Sequence, residues 1–380
     1  MGRRSGRRSG RVGEEVLNGT MDCILHIGIG KAGSSTIQGA LEKGRAQLLA
    51  RGILYPDDLL SHGRRGGDNH KCLAVAAMHA TRTNIVLKQH GVLNAAARST
   101  FDAQVLQLYR HQVRAAPGAV CLLSAEHFWS VLGSAAEIDR LAGLTDQIGL
   151  NVRRIIIYLR RQSDWFESVQ YQRLREGHVT LETDADAILA SLSAQQLDYM
   201  AVTARWQAAF PAASLVPRPF AKADFFGGSL LADFWQAAGL DGEGIEAPQD
   251  RNVSAFSNLG MNALIAANRD VPTLLANGKL NPARKEIAGF IAARMPGRVR
   301  VLSDAAMARI DDHYAASNAA LCRHYFPGRP ALFADPVRDP DVAGYTPITD
   351  TDFAAAMKLF TDLWNETAAA QAANPREKTP

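Results

Sequence analysis

Residues 25–36 read LHIGIGKAGSST, an apolar run that ends in three glycines, a lysine and three consecutive hydroxyl residues. A strand that feeds a glycine-rich turn and then a helix builds an anion site. The turn's N–H groups converge, and the helix N-terminus adds roughly half a positive charge. Gly30 and Gly33 let the backbone come close to an anion. Ser34, Ser35 and Thr36 fall in the first helical turn with hydroxyls facing phosphate oxygens, while Lys31 projects from the turn itself. In the common nucleotide-phosphate loop, Gly-x-x-x-x-Gly-Lys-Ser/Thr, the lysine follows the last glycine. Here it precedes it.

Three apolar runs set the frame around this loop: CILHIGI (23–29), VCLLSA (120–125) and RIIIYLR (154–160). Each is continuous rather than alternating and is followed by turn residues and a helical pattern, as in strands buried on both faces of a parallel sheet. Ile37, Leu41 and Leu48 keep helical spacing after the first run, and that helix stops at Gly52. GILYP (52–56) reads as a short edge strand ended by its proline. Ser163 is the expected N-cap of a helix running to about Glu176. The alternation predicts an α/β fold, a central and mainly parallel sheet flanked by helices with right-handed crossovers. Beyond about residue 180 the pattern turns helical, with LVPRPF (215–220) as one further strand. Phe353, Met357, Phe360 and Trp364 share one face of a final helix. Residues 1–20 are expected to be a solvated basic tail, 21–365 one domain with a helical C-terminal elaboration, and 366–380 a frayed end.

Composition narrows the function classes. The 380 residues are 47% hydrophobic and 21% charged, ordinary for a globular chain. Net charge is +4, yet residues 1–20 hold five arginines against two glutamates, so the rest is nearly neutral. A field suited to nucleic acid is not expected. The first 20 residues lack the apolar stretch of a secretory signal, and no run approaches the roughly 20 apolar residues that span a bilayer, so no integral membrane association is expected. Cys23, Cys72, Cys121 and Cys322 lie far apart; they read as reduced core thiols in a cytoplasmic protein. Ten histidines without H-E-x-x-H spacing give a metal site no support.

HIGIGKAGSSTIQ resembles the 5′-phosphosulfate loop of sulfotransferases, typically Lys-Thr-Gly-Thr-Thr or Lys-Ser-Gly-Ser-Thr. This chain has Lys31-Ala32-Gly33-Ser34-Ser35, and Ala32 removes one hydroxyl. YLRRQSDWFESVQYQ (158–172) resembles the family's 3′-phosphate motif, an arginine ending a strand and a serine eight residues later, here Arg160 and Ser168. Arg161-Gln162 stands where Asn-Pro often follows that arginine, a variant resembling bacterial members. Guanidinium suits a phosphate dianion because it stays charged and binds through two donors. The resemblance covers residues 24–172 well and the remainder poorly. It implies 3′-phosphoadenosine 5′-phosphosulfate (PAPS) as co-substrate, held by Gly30, Lys31, Gly33, Ser34, Ser35, Thr36, Arg160 and Ser168, with no metal. Lys31 then stabilises the oxygen bridging phosphorus and sulfur as negative charge develops there.

The acceptor must lose a proton to a nearby base. Glu126, in LLSAEHFW (122–129), ends the strand before the 3′-phosphate motif, where the family's base resides; it is the favoured base. His127 beside it and His70, in GGDNHKCLA, are the alternatives, whereas His26 behind the loop reads as structural. Trp129 and Trp165 are candidates for a pocket wall, with core packing the plainer expectation. Arg251 in DRNVSAFSN (250–258) is a further candidate for the 3′-phosphate, and Arg64-Arg65 and Arg298-Val299-Arg300 are basic spots. The expected activity is sulfuryl transfer to a hydroxyl or amine of a small-molecule or glycan acceptor, a carbohydrate or glycolipid first. The alternatives are a nucleoside-triphosphate-dependent kinase, disfavoured by the lysine's position and by the lack of a convincing strand-end aspartate for magnesium, and a non-catalytic nucleotide-binding protein of the same fold.

Overall fold

A computed structural model describes residues 20–59, 65–67, 69–191, 195–246, 256–273, 275, 281–336 and 339–349, with 352, 354, 357, 358, 361 and 362. Residues 1–19 and 366–380, Arg64, Arg251, Phe353, Phe360 and Trp364 therefore lie outside the described residues, as does the side chain of Arg65. Met357, from the expected apolar stripe, is exposed.

Among the described residues there are seven strands: β1 (Met21–Ile27), β2 (Ile53–Leu54), β3 (Asp58–Leu59), β4 (Arg65–Gly66), β5 (Val120–Ala125), β6 (Leu150–Leu159) and β7 (Ser214–Pro219). Five form one sheet in the order β2-β5-β1-β6-β7, and every neighbouring pair is parallel. β3 and β4 make a small antiparallel pair apart from it. The apolar runs are buried almost throughout because helices flank the sheet and neither face meets water. The α/β architecture and the edge strand before Pro56 are as the pattern predicts.

The helices that frame the sheet are α1 (Ser34–Lys43), α2 (Arg45–Ala50), α3 (Lys71–Ala77), α4 (Ile85–Gln89), α5 (Ala95–Ala115), α6 (His127–Val131), α7 (Ala135–Ile148), α8 (Gln162–Glu176), α9 (Ala185–Leu189), α10 (Tyr199–Ala209) and α11 (Leu230–Ala238). Three more follow: α12 (Asn258–Asp270), α13 (Ala283–Arg294) and α14 (Asp304–Tyr325). Two local expectations need correction. The first helix is interrupted at Gly44, which ends α1 and opens α2, and a Cβ there would stand 2.8 Å from Ile245 Cδ1, so the position is closed to a side chain. Ser163 is not the N-cap of α8. Arg161 occupies that position, and Ser163 is buried with its N–H donating to Asp311 Oδ1 at 3.3 Å.

Two apolar cores result. The larger surrounds the sheet and takes in Ile37, Leu41, Leu48, Cys23 and Cys121. The smaller is made by α12 and α13 with Leu174 from the last turns of α8, joined by Met295, Val299 and Val301. α8 belongs to both, since Trp165 and Phe166 near its start lie in the larger core. Winding places β1 centrally: the chain fills one side of it with β2 and β5, then crosses to β6 and β7. The carboxyl ends of parallel strands at such a reversal form the crevice where open α/β sheets take ligands.

Candidate active site

That crevice receives the Gly28–Gly33 turn after β1, Glu126 after β5 and Arg160 after β6. The turn closes with Ala32 N–H donating to the Ile29 carbonyl at 3.2 Å. Ser34 folds inward, 3% exposed, its hydroxyl donating to the same carbonyl at 3.2 Å. It fills the space over Gly28, where a Cβ would lie 2.3 Å from Ser34 Oγ. The Ser34 hydroxyl thus closes the turn onto its own backbone, where the pattern predicts a phosphate contact. Gly33 is needed for its φ of +81° and because a Cβ there would lie 2.4 Å from Leu230 and 2.8 Å from Phe220. Gly30 is the open position: a Cβ there would meet only Glu126 Oε2, at 3.8 Å.

Lys31 has φ +66°, the one non-glycine residue with positive φ among those described. Such a conformation costs about 1 kcal/mol and persists where surrounding contacts enforce it. Here the enforcing groups are visible. Arg160 Nη1 donates to the Lys31 carbonyl at 2.7 Å, and Trp165 Nε1 donates to the Gly30 carbonyl at 2.8 Å. Tyr199 in turn donates its hydroxyl to the Arg160 carbonyl at 2.5 Å. The N–H groups of Gly30, Lys31, Gly33, Ser34 and Ser35 donate to no described residue. With Ser35 exposed and Thr36 half-buried, the turn offers several N–H donors and two hydroxyls to one anion.

The electrostatics are those of a cationic cleft. Burial lowers the Lys31 ammonium below its usual value, Arg175 and Arg160 lower it further, and Glu126 and Glu176 oppose them. Burial also lowers Arg160, with Asp164 countering and Arg298 adding to the effect. Arg175 and Arg298 are residues that sequence reasoning missed or left as a mere basic spot. A signal for Arg175 existed: it lies seven residues after Ser168, two turns along the same face of α8. Its guanidinium stands 5.0 Å from the Phe256 ring centroid. The structure thus brings together Gly30, Lys31, Glu126 and Arg160. Ser168 is half-buried on α8, and no hydrogen bond joins it to Arg160.

Among the base candidates, Glu126 is half-buried beside Gly30 and opens α6, with His127 next to it. His70 is fully buried and both its ring nitrogens are engaged, one by Ser124 N–H at 2.8 Å and one by the Pro56 carbonyl at 2.9 Å. Burial pushes its pKa down to about 4, so it stays neutral. His26, also buried, bonds Ser124 Oγ at 2.8 Å, and burial takes its pKa to about 3. Trp129 and Trp165 are both core residues packed edge to face, 5.5 Å between centroids. Among the described residues no group of three or more His, Cys, Asp or Glu is arranged to hold a metal ion, and no helix is long and apolar enough to cross a membrane.

No family model matches this chain. It is similar to an uncharacterized protein of Archaeoglobus fulgidus, 31% identical over 120 residues. The match spans 32% of this chain and 30% of that protein's length.

Proposed function

We propose that the chain is a cytoplasmic sulfotransferase that moves the sulfuryl group of PAPS to a hydroxyl or amine, on a carbohydrate or glycolipid before other acceptors. The carrying observation is the bond from Arg160 to the Lys31 carbonyl, which sets a strand-end guanidinium and the loop ammonium at one cleft. A donor with a phosphosulfate at one end and a 3′-phosphate at the other needs such a pair. The open side of Gly30 and the turn's available N–H groups suit the phosphosulfate. The four cysteines are all free and buried, in keeping with a reducing compartment.

In this reading the acceptor oxygen or nitrogen attacks sulfur while the bond from sulfur to the bridging oxygen breaks. Adenosine 3′,5′-bisphosphate leaves with that electron pair, and the acceptor's proton passes to Glu126. Lys31 and the N-terminus of α1 face the oxygen where charge accumulates, so they favour the transition state over the ground state.

Thermal shift separates the readings, because a ligand that binds only the native state raises its apparent stability. Adenosine 3′,5′-bisphosphate without metal is expected to stabilise the chain more than ADP with magnesium, and the opposite order would favour phosphoryl transfer. Lys31→Ala should lower turnover by about a hundredfold to a thousandfold. Glu126→Gln should slow transfer by about a hundredfold or more while bisphosphate affinity stays within about twofold. Bisphosphate binding with no transfer to any acceptor in a panel would mark a binding protein.

A further inference from the structure

β2 is only two residues long and pairs with β5 at Val120 and Cys121 alone, so among the described residues the end of β5 has no strand partner on that side. Val120 N–H donates to the Gly52 carbonyl, and because backbone direction alternates, Ser124 presents its N–H and carbonyl to the same side. His70 stands there in place of a strand. Its N–H donates to the Ser124 carbonyl at 3.0 Å, and Ser124 N–H donates to His70 Nδ1 at 2.8 Å. With Nδ1 accepting, the ring proton sits on Nε2 and is donated to the Pro56 carbonyl at 2.9 Å. The other side of Ser124 is held as firmly. Its hydroxyl bonds His26 Nδ1 of β1 at 2.8 Å and accepts from Gln38 Nε2 of α1 at 3.3 Å. Two residues on, Glu126 carries its carboxylate to the open side of Gly30.

The geometry points to His70 as a positioning residue for Glu126, a side-chain substitute for the missing strand that fixes the end of β5 against the phosphate loop. Buried and engaged at both nitrogens, it touches neither donor nor acceptor and takes no proton in turnover. The catalytic part of this inference rests on the sulfotransferase reading; the positioning part does not.

Two measurements test it. Glu126 opposes the cations that lower Lys31, so removing or displacing its carboxylate lowers the Lys31 titration further. In protein labelled with 15N at lysine Nζ, Glu126→Gln should move the Lys31 titration down. His70→Ala should reproduce at least half of that shift, and His70→Gln, which keeps one acceptor and one donor, should leave it near wild type. A wild-type titration in His70→Ala, or no shift in Glu126→Gln, overturns the proposal whatever the protein catalyses. In the sulfotransferase assay His70→Ala should cost about a hundredfold in kcat, with the KM for the donor and the Kd for the bisphosphate within twofold. His70→Gln should recover most of the rate, and the acid limb of the pH profile should persist in both. Loss of that limb would make His70 the base and overturn the assignment. If His70→Ala does not fold, His70→Asn gives a smaller displacement of the same sign. If wild type binds no bisphosphate, the sulfotransferase reading fails while the lysine titration still decides the positioning role.

Discussion

The loop end of the sheet and the helical region seated on α8 hold their backbones by different means. In the sheet, parallel ladders satisfy β1 on both sides, with His26 opposite Ser124 and Ile156. In the helical region side chains do this work. Glu167 accepts from the N–H groups of Val301 and Leu302 at 2.7 and 2.8 Å, and Val299 N–H donates to the Tyr171 hydroxyl at 3.0 Å. Asn268 Nδ2 donates to the carbonyls of Leu174 and His178, while Arg284 gathers those of Val271, Gly177 and Asn268. A ladder shares its load over many equivalent bonds. A side-chain tie concentrates it on one residue, so single substitutions should act more locally and more severely in the helical region.

The largest expected effect nevertheless falls in the loop. Gly33→Ala combines a disfavoured φ with overlap on Leu230 and Phe220 and should cost about 3 kcal/mol. Bisphosphate binding should go with it. An unchanged melting temperature would mean that the turn is built otherwise. Next, Arg284→Ala should cost about 2 kcal/mol by stranding buried carbonyls. Hydrogen exchange should speed up in α12 and α13 and stay unchanged in β1 and β6; equal acceleration in the sheet would show one cooperative unit and end the contrast.

Acid should weaken the sheet side next. His26 and His70, at about 3 and about 4 when folded, bind protons first in the unfolded chain as pH drops below about 6.5, so their contribution is present at neutral pH and lost toward pH 4. Asp58 acts oppositely. Burial raises it to about 6, so the folded chain takes its proton first and gains stability below that pH. The net loss from pH 7 to 5 should be on the order of 2 kcal/mol, with His70→Gln losing less; chemical denaturation across that range measures it. The smallest effect is a gain. Lys31→Gly relieves the positive φ and should stabilise by about 1 kcal/mol, whereas Lys31→Ala should not.

Legibility divides along the same line. The strands were readable because burial on both faces leaves continuous apolar runs, and the loop was readable because its glycines, lysine and hydroxyls fall within a few consecutive residues. Arg160 and Glu126 could be placed because each ends a strand. The inward turn of Ser34 could not, since it depends on the space over Gly28. Nor could the close packing of Ile245 on Gly44, or the start of α8, where Asp311 receives the Ser163 N–H. Arg175 had a faint helical signal, but its value as a neighbour of Lys31 depends on how α8 lies against the loop.

By itself the sequence determined the parallel α/β core, the glycine-rich turn after β1 and the residues at three strand ends, because these follow from local periodicity and chain chemistry. Only the tertiary structure decided which hydroxyls of that turn stay open, that His70 is buried against the end of β5 with both ring nitrogens engaged, and that a second core grows from the far end of α8. Those outcomes depend on contacts between residues tens to hundreds of positions apart, and no local pattern records them.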